Sequence, residues 1–535
     1  MGRRGESATL IDASEPAESP AASPVRRVPD RALALLASPS LPVLLTLFGV
    51  ALRTRRFLAG FSFEVAEAML GLNLRGRSYA ALLLPLDNEQ GAPFGFLWIS
   101  RFALVHLGEG EQVLRAFPWL CSVVACGLFL ALARRALPRL AVPWACLLFA
   151  ISPDLVLYGS TFKAYSVDVA LSLGVLLLAW PALEAPLSRR RLVGLALLGA
   201  LAPFFSHASV LVLAGVGLTL AGVAWRRRGM AELVRLVPVG VLWSVGVAVL
   251  YEVQFAGLAR DGYLLRYWAP DFAPFPPQDV SELRWWFDAP FRLFREPGGF
   301  QFPGLAGALA LFGVVAGVRR RAVATVLLLS PVAVALLASA AHQYPFGRRL
   351  ALFLMPSLLV LVAHGIEELR GAEWARSPVI ALAAGLLVAL DPLLSQSLRF
   401  LQPKPLEEIR PLLAGLAQEH RPGDLLYVYS DARYAFDWYA PVYGLDRVER
   451  RTGRSAEAVW SDDLADLEEI GPRPRVWLLF SHVYGRNDAH TEEDFFVFEL
   501  ERRGRRLAER SAPGASLYLY DLSAPPLAAA PASRP

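Results

Sequence analysis

The sequence predicts an α-helical protein that crosses a membrane many times and ends in a soluble α/β domain. Three observations support this fold class. Apolar residues make up 55% of the 535 residues, and the mean hydropathy of +0.41 is high for a soluble protein. Apolar runs of a length that suits a bilayer recur before the final quarter of the chain. Beyond about residue 403 the pattern changes to short strands and amphipathic helices.

About eleven apolar runs are candidates for membrane-spanning helices, and together they define a transmembrane domain over residues 33–396. The runs lie near residues 33–52, 117–133, 139–158, 164–183, 191–204, 208–225, 233–252, 302–318, 322–341, 350–367 and 376–395. Residues 1–32 are rich in Ala, Ser, Pro and Glu, which favours a disordered cytoplasmic tail. We do not expect a cleavable signal peptide, because the first run begins late and no small-residue cleavage site follows it.

Basic clusters predict the orientation of these runs, because short loops rich in Lys and Arg stay in the cytoplasm. Clusters at 134–135, 189–191, 226–228 and 319–321 all follow even-numbered runs, and the N-terminal tail is basic as well. We therefore expect a cytoplasmic N-terminus, with the long connections 53–116 and 253–301 on the external side. The arginines Arg53, Arg55 and Arg56 oppose this rule locally.

The segment 403–522 has the pattern of an external α/β domain. An amphipathic helix, LEEIRPLLAGLAQEH, precedes a turn, RPGD, and the strand LLYVYS. Further strands are predicted at RVWLLF and SLYLYDL. The last residues, 523–535, are of low complexity and are predicted to be disordered.

Two acids follow the first apolar run, in the stretch FSFEVAEAML at residues 61–70. At helical spacing Glu64 and Glu67 share a face, while Phe63, Met69 and Leu70 form an apolar side that suits the bilayer surface. A carboxylate at that depth is partly desolvated, which raises its pKa and makes it a better base near neutral pH. A solvated helix face is the alternative interpretation of the spacing.

Ionisable residues also mark the external ends of other runs. Lys163 and Asp168 lie in SPDLVLYGSTFKAYSVD, where a charge usually faces a cavity or a partner, although a structural Lys–Asp pair is an alternative. Arg348 and Arg349, in HQYPFGRRLALFLMP, could bind a phosphate or extend to lipid headgroups. His207, in FFSHASV, is more typical of a packing residue than of a catalytic one. Together with the acids, these residues predict an external site that handles an anionic lipid headgroup.

Several functional classes are not supported by the sequence. Cys121, Cys126 and Cys146 fall within apolar runs and show neither a disulfide framework nor metal-ligand spacing. No set of metal ligands with suitable spacing appears, so metal dependence stays open, and no nucleotide-binding loop is evident. The net charge of +5 is small and spread along the chain. We therefore expect no cofactor and no nucleic-acid partner.

Taken in order, several stretches resemble the GT-C superfamily of integral membrane glycosyltransferases, which includes protein O-mannosyltransferases, aminoarabinose transferases and the bacterial RgtA/B/C/D-like group. The resemblance covers most of the chain from about residue 40. It rests on NLRGRSYAALLLPLDNEQGAPFGFLW, LYGSTFKAYSVD, FFSHASV, GYLLRYWAPDFAP and HQYPFGRRLALFLMP. It implies inverting transfer of a sugar from a polyprenyl-phosphate carrier to a lipid, glycan or protein acceptor. The implied location is the external face of a bacterial inner membrane, with the C-terminal domain in the periplasm.

The resemblance also implies roles for individual residues. A first-loop carboxylate, Glu67 or Glu64, would deprotonate the acceptor. Lys163 and Arg349, with Arg348 beside it, would stabilise the departing lipid phosphate. The pocket would be lined by Tyr165, Asp168, His207, Asp87, Gln90 and Tyr344.

The sequence departs from the family pattern in the first loop, where Ala66 stands in the place of an aspartate and Glu67 is kept. We favour an active enzyme in which Glu67 or Glu64 is the base, because the lysine, arginine and histidine positions remain. A catalytically inactive scaffold is the alternative, and Arg348 also stands where relatives tend to have glycine. A lipid or solute transporter fits less well, since no internal repeat is visible and the polar residues collect at the outer boundary.

Overall fold

The computed structural model describes residues 34–255, 262–371, 378–454, 460–483, 485–487 and 490–523. The predicted disordered tails, 1–32 and 523–535, lie outside these residues apart from Ser523. The N-terminal three quarters of the described chain form helices. These are α1 (Leu41–Ala59), α2 (Val65–Gly76), α3 (Phe94–Leu107), α4 (Glu111–Ala136), α5 (Val142–Ile151), α6 (Pro153–Leu157), α7 (Tyr165–Ala179), α8 (Arg189–Leu201), α9 (Ser209–Arg228), α10 (Met230–Leu250), α11 (Gly262–Tyr267), α12 (Val280–Arg295), α13 (Pro303–Ala340), α14 (Met355–Gly371) and α15 (Pro378–Leu401).

The chain is a multi-pass membrane protein. Among the described residues, seven helices are long and apolar enough to cross a membrane, or up to eight if the bent pair α5 and α6 forms one span. The predicted number of eleven is not confirmed. Three features account for the difference: α1 carries three arginines near its end, α8 has only 13 residues, and α13 covers two of the predicted runs.

Helix α13 turns back on itself at Arg321. The backbone of Arg321 is not helical, with φ −143° and ψ 54°. A Cβ atom on Gly317 would lie 2.4 Å from Oγ1 of Thr325, whereas residues eight apart in a straight helix are separated by about 12 Å along the axis. The two halves of α13 therefore run side by side, and they correspond to the predicted runs 302–318 and 322–341.

The predicted cytoplasmic clusters lie at the connections on one end of this helical bundle. Arg321, at the turn of α13, donates from Nη1 to the carbonyl of Arg135 at the end of α4, over 3.5 Å. Arg227, at the end of α9, donates to the carbonyl of Leu183 over 2.8 Å, just before the basic start of α8. The grouping agrees with the sequence pattern, while the side of the membrane stays a prediction.

A buried arginine of α1 stabilises the bend between α5 and α6. These helices meet at 62°, and Pro153 has no N–H for the carbonyl of Phe149, which a continuous helix would pair with it. The guanidinium of Arg53, 1% exposed, donates instead to the carbonyls of Phe149 and Ala150 over 3.1 and 3.2 Å. Arg53 is therefore structural, which explains why it departs from the rule for basic loops.

The C-terminal part of the chain folds as an α/β domain. Its elements are α16 (Arg410–Glu419), β1 (Leu425–Val428), α17 (Ala432–Tyr443), β2 (Arg450–Thr452), α18 (Trp460–Ile470), β3 (Val476–Ser481), β4 (Gly485–Asn487), β5 (His490–Thr491), α19 (Glu492–Arg503), β6 (Arg505–Ala512) and β7 (Ala515–Asp521). The predicted first helix and the three predicted strands are confirmed by α16, β1, β3 and β7.

The main sheet has the strand order β2-β1-β3-β7-β6. Strand β1 is parallel to β2 and β3, and β7 is antiparallel to β3 and β6. The central strands β1 and β3 are buried along their whole length, which explains their continuous apolar sequences. The edge strand β6 is charged and largely exposed, as is usual where an open edge must not pair with another chain.

The C-terminal domain packs directly on the first loop, which is predicted to be external and contains α2 and α3. Trp438 of α17 lies against Gly71 of α2, where an added Cβ would be 3.0 Å from its ring. The Trp438 ring also lies 5.3 Å from that of Phe63 and 3.9 Å from the guanidinium carbon of Arg75. Loop and domain thus share one buried apolar cluster, which fixes the position of α2.

Candidate active site

The first turn of α2 holds Glu67 in a buried ion pair. Nε of Arg115, at the start of α4, donates to Oε1 of Glu67 over 2.8 Å, and Nη2 donates to Oε2. Oε1 also accepts the backbone N–H of Phe162 at 2.5 Å, and Oε2 accepts the N–H of Glu64 at 3.2 Å. Both oxygens are thus engaged twice, and the Glu67 residue is 1% exposed. Glu67 joins α2, α4 and the segment before α7.

Glu64 faces a small cavity. Its space, including open solvent at its mouth, is about 270 Å³, and it is lined by Arg56, Phe61, Ser62, Glu64, Arg115, Ser160, Thr161 and Leu406. Among the described residues Glu64 has no ion-pair partner. Burial raises the pKa of Glu64 to about 7, and the neighbouring carboxylates of Glu67 and Glu407 add to this effect. Of the two predicted acids, Glu64 is therefore the one suited to accept a proton near neutral pH.

Lys163 lies where the first loop meets the segment before α7. Its Nζ donates to Oε1 of Gln90 over 2.7 Å, and the Gln90 amide donates in turn to the carbonyl of Asn88 over 3.0 Å. Burial lowers the pKa of Lys163 to about 7, the positive charge of Arg349 adds to the shift, and the carboxylates of Glu67 and Glu64 oppose it. The structure therefore places Lys163 within electrostatic reach of both Arg349 and the two acids.

The two arginines before α14 have different surroundings. Both guanidinium groups lie near the ring of Trp268, at 5.8 Å for Arg348 and 5.4 Å for Arg349. Nε of Arg348 pairs with Oδ2 of Asp271 at 3.0 Å. Nε of Arg349 is buried without a hydrogen-bond partner among the described residues. Arg349 is therefore the cation that has a donor available for a ligand.

Other predicted pocket residues take structural positions close to Arg349, which with Glu64, Glu67 and Lys163 forms the candidate cluster. The ring of Tyr165 lies 5.0 Å from that of Tyr158, and the charge of Arg349 acts on both phenols. The hydroxyl of Tyr344 donates to the carbonyl of Leu350 over 3.0 Å, which supports the turn that carries Arg349. Tyr165 and Tyr344 thus help to hold the cation in place.

Three further predicted residues make contacts of their own. Asp168 is buried beside Ser206. Nε2 of His207 lies 3.3 Å from Oε1 of Gln254, and burial lowers the pKa of His207 to about 4, so its ring is neutral at pH 7. The side chain of Asp87 is 70% exposed and pairs with Arg77 within the first loop. None of these contacts involves the acids or cations of the cluster.

The C-terminal domain supplies residues that the sequence did not indicate. Arg410 donates to Oγ of Ser62 over 3.0 Å, to the carbonyl of Gly60 over 2.7 Å and to Oε1 of Glu111 over 3.0 Å. Ser62 itself donates to Oε1 of Glu408 over 2.5 Å. These contacts fix the chain immediately before Glu64.

A second contact from this domain reaches the start of α2. Oε2 of Glu407 accepts the backbone N–H of Val65 at 3.2 Å, and its Oε1 lies 2.5 Å from Nδ1 of His482. Burial would lower the pKa of His482, but the hydrogen bond and charge of Glu407 raise it above its ordinary value. The negative charge of Glu407 is also one cause of the raised pKa of Glu64. The C-terminal domain therefore both positions Glu64 and affects its protonation.

No group of three or more His, Cys, Asp or Glu side chains that could hold a metal ion occurs among the described residues. The chemistry available to the cluster is that of a carboxylate that can accept a proton and two cations. Such a pair of functions suits a substrate that loses a proton at one atom and gains negative charge at another.

Comparisons with known proteins agree with this fold. No protein-family model matches the chain, and no curated protein matches it in sequence. Among solved structures, ArnT from Cupriavidus metallidurans is similar in its apo state, with a TM-score of 0.50 and 11% identity over 88% of this chain and 97% of that one. ArnT bound to undecaprenyl phosphate gives a TM-score of 0.51 and 12% identity, over 90% and 98% of the two chains. An oligosaccharyltransferase from Archaeoglobus fulgidus, in its apo form, has a TM-score of 0.47 and 14% identity, over 91% and 75%. The chain has the GT-C fold, as the resemblance predicted.

Proposed function

We propose that this chain is an inverting glycosyltransferase that moves a sugar from a polyprenyl-phosphate carrier to an acceptor at the external face of the cytoplasmic membrane. The observation that carries the proposal is the cluster itself. A carboxylate with a pKa of about 7, Glu64, is electrostatically coupled to Lys163, which is coupled in turn to Arg349. ArnT, which shares the fold, has been crystallised with undecaprenyl phosphate, and this supports a carrier of the same class.

In the proposed reaction, an acceptor hydroxyl gives its proton to Glu64 and attacks the anomeric carbon of the sugar. The bond between that carbon and the carrier phosphate oxygen breaks, and its electron pair stays on the phosphate. Lys163 and Arg349 stabilise this charge as it develops, and a preorganised pair of cations does so without reorientation during the step. Because attack and departure take place on opposite sides of the carbon, the anomeric configuration is inverted.

We assign the two cations to the carrier phosphate and predict that each is needed for its binding. Lys163→Gln and Arg349→Gln should each weaken the binding of undecaprenyl phosphate about 10- to 100-fold, the usual effect of losing one charge-assisted hydrogen bond. Native mass spectrometry of the purified protein with undecaprenyl phosphate measures this change.

Arg348→Gln is the matched control for these variants. Its guanidinium already pairs with Asp271, so we expect its loss to weaken binding less than about 3-fold. Equal losses for Arg348→Gln and Arg349→Gln would contradict the assignment. Binding that is unchanged in both Lys163→Gln and Arg349→Gln would exclude the phosphate site.

The pKa values of the cluster predict a narrow pH optimum. Glu64 must be deprotonated to act as a base, so kcat/KM should fall as the pH drops below about 7. Free Lys163 must be protonated to attract the carrier phosphate, so kcat/KM should also fall as the pH rises above about 7. Bound phosphate raises the pKa of Lys163. At saturating donor, kcat should therefore fall only on the acidic side of the profile (the acidic limb) and not on the alkaline side (the alkaline limb). A pH–rate profile of sugar transfer tests this.

Lys163→Arg separates the two limbs, because arginine stays charged at all relevant pH values. This variant should keep the acidic limb of kcat/KM and lose the alkaline one. An alkaline limb of unchanged position in Lys163→Arg would show that another group causes it, and the absence of an acidic limb would remove Glu64 as the base.

A further inference from the structure

A second cavity lies beside the one that contains Glu64. It is formed by the end of α1, by α6, by the end of α15 and by the linker to the C-terminal domain, and its space, including open solvent at its mouth, is about 360 Å³. Arg56 lines both cavities. The second cavity therefore adjoins the proposed catalytic base, at the same end of the bundle as the C-terminal domain.

The polar lining of this cavity contains hydrogen-bond donors that need acceptors. Arg56, Arg399 and Lys404 are its charged residues, and in the described parts of the chain none of the three pairs with a carboxylate. Gln396 also lines the cavity. It is 2% exposed, and its buried Nε2 has no hydrogen-bond partner among the described residues. An unsatisfied buried donor is costly, and an anion with several oxygens would satisfy it together with the three cations.

The remaining lining favours an occupant from the bilayer. Leu52, Val156 and Phe400 form apolar walls between the polar groups. At the end of α15, on the same helix as Gln396, Leu398 and Leu401 are 66% and 72% exposed, as expected for a helix that faces lipid. Apolar walls beside a cationic rim match an acyl chain and a phosphate headgroup better than they match a soluble glycan.

We propose that this cavity binds an anionic membrane phospholipid and that this lipid is the sugar acceptor. The inference rests on the proposed function, because it uses Glu64 as the base. Arg56, Arg399, Lys404 and Gln396 hold the headgroup phosphate, and the acyl chains extend along α1 and α15. A headgroup hydroxyl then reaches past Arg56 and gives its proton to Glu64. Its oxygen bonds to the anomeric carbon, while the bond from that carbon to the carrier phosphate breaks and leaves its electron pair on the phosphate.

The test is lipid retention by the full-length protein in micelles that contain phosphatidylglycerol or phosphatidylcholine, measured by native mass spectrometry. The double variant Arg399→Gln/Lys404→Gln should retain about tenfold less phosphatidylglycerol than the wild type and the same amount of phosphatidylcholine. Both residues are exposed, so the fold should tolerate the change. Gln396→Leu should also reduce phosphatidylglycerol retention, because it removes the buried donor.

Arg284→Gln/Arg295→Gln is the matched control, since it removes two exposed arginines of α12 in the second predicted external loop. It should retain phosphatidylglycerol as the wild type does. Equal losses in the control and in the cavity variant would show a general charge effect and overturn the proposal. Displacement of bound phosphatidylglycerol by added glucose 6-phosphate would also overturn the proposal, in favour of a soluble phosphorylated acceptor.

Binding of undecaprenyl phosphate separates this inference from the function on which it rests. The cavity variant should bind undecaprenyl phosphate as the wild type does, because Lys163 and Arg349 are intact. Carrier binding that depends on Lys163, together with phosphatidylglycerol retention that does not depend on Arg399 and Lys404, would overturn the acceptor site and leave the proposed function standing. Absence of carrier binding in the wild type would reject the proposed function itself.

Discussion

Replacing Glu64 with glutamine is expected to lower the rate of sugar transfer by about 10²- to 10⁴-fold, the usual contribution of a general base. Glutamine has nearly the same shape but cannot accept the acceptor proton. The raised pKa of Glu64 means that the folded protein holds its proton more tightly than the unfolded chain, so the free energy of unfolding falls as the pH rises from the ordinary pKa of 4.5 to about 7. Glu64→Gln should therefore lower kcat without lowering the melting temperature.

A transfer assay with purified protein and a polyprenyl-phosphate-linked sugar measures this effect. Glu64→Asp is the matched control, since it keeps the carboxylate and shortens its reach, and it should keep more activity than Glu64→Gln. Undecaprenyl phosphate binding should be intact in both variants, because the cations are unchanged. Full transfer by Glu64→Gln would remove the proposed mechanism, whereas absence of transfer by the wild type would favour the inactive-scaffold interpretation.

Replacing Glu67 with glutamine is expected to act on stability, with a loss of about 3–5 kcal/mol. The change leaves the guanidinium of Arg115 buried without its counter-charge, and it weakens the hydrogen bonds from Phe162 and Glu64. The loss should appear as a lower melting temperature in detergent. The sequence favours Glu67 ahead of Glu64 as the base, whereas the contacts of Glu67 in the structure favour a structural role.

The double variant Glu67→Gln/Arg115→Met distinguishes this loss from a catalytic effect. Since it removes both charges, it should recover much of the stability that Glu67→Gln loses. A Glu67→Gln protein that melts like the wild type and yet transfers no sugar would contradict the structural role and return Glu67 to the position of base.

The sequence predicted that distant polar stretches would meet, and the structure supports this in its contacts. Gln90 of the first loop accepts a hydrogen bond from Lys163. Glu67 accepts one from the backbone N–H of Phe162, the residue that precedes Lys163. The order of the motifs and the predicted side of the membrane were sufficient for this prediction, because residues at the same ends of packed helices lie close to one another. The number of spans was harder to predict from hydropathy. A reversal of chain direction such as that at Arg321 and a buried arginine such as Arg53 both change the number of apolar segments that are counted.

The choice between the two acids could not be read from the sequence, because it depends on partners far along the chain. The partner of Glu67 is Arg115, which lies 48 residues later in the chain. Arg115 is at the start of an apolar helix, and nothing in the sequence around it indicates that it pairs with Glu67. Glu64 owes part of its raised pKa to Glu407, in a domain whose pattern predicts only a soluble fold. Which carboxylate has a cationic partner is a property of tertiary packing, and the spacing of Glu64 and Glu67 in the sequence does not distinguish them.

The hydrogen bonds from Arg410 to Gly60 and Ser62 also have a consequence for biosynthesis. The two partners of the Arg410–Ser62 bond are separated by 348 residues, so the ribosome must produce most of the chain before they can meet. We expect the nascent protein to insert its early helices while the first loop still lacks its final support. Activity should then appear only when the C-terminal domain docks on the first loop. Truncated chains should accumulate in the membrane without activity.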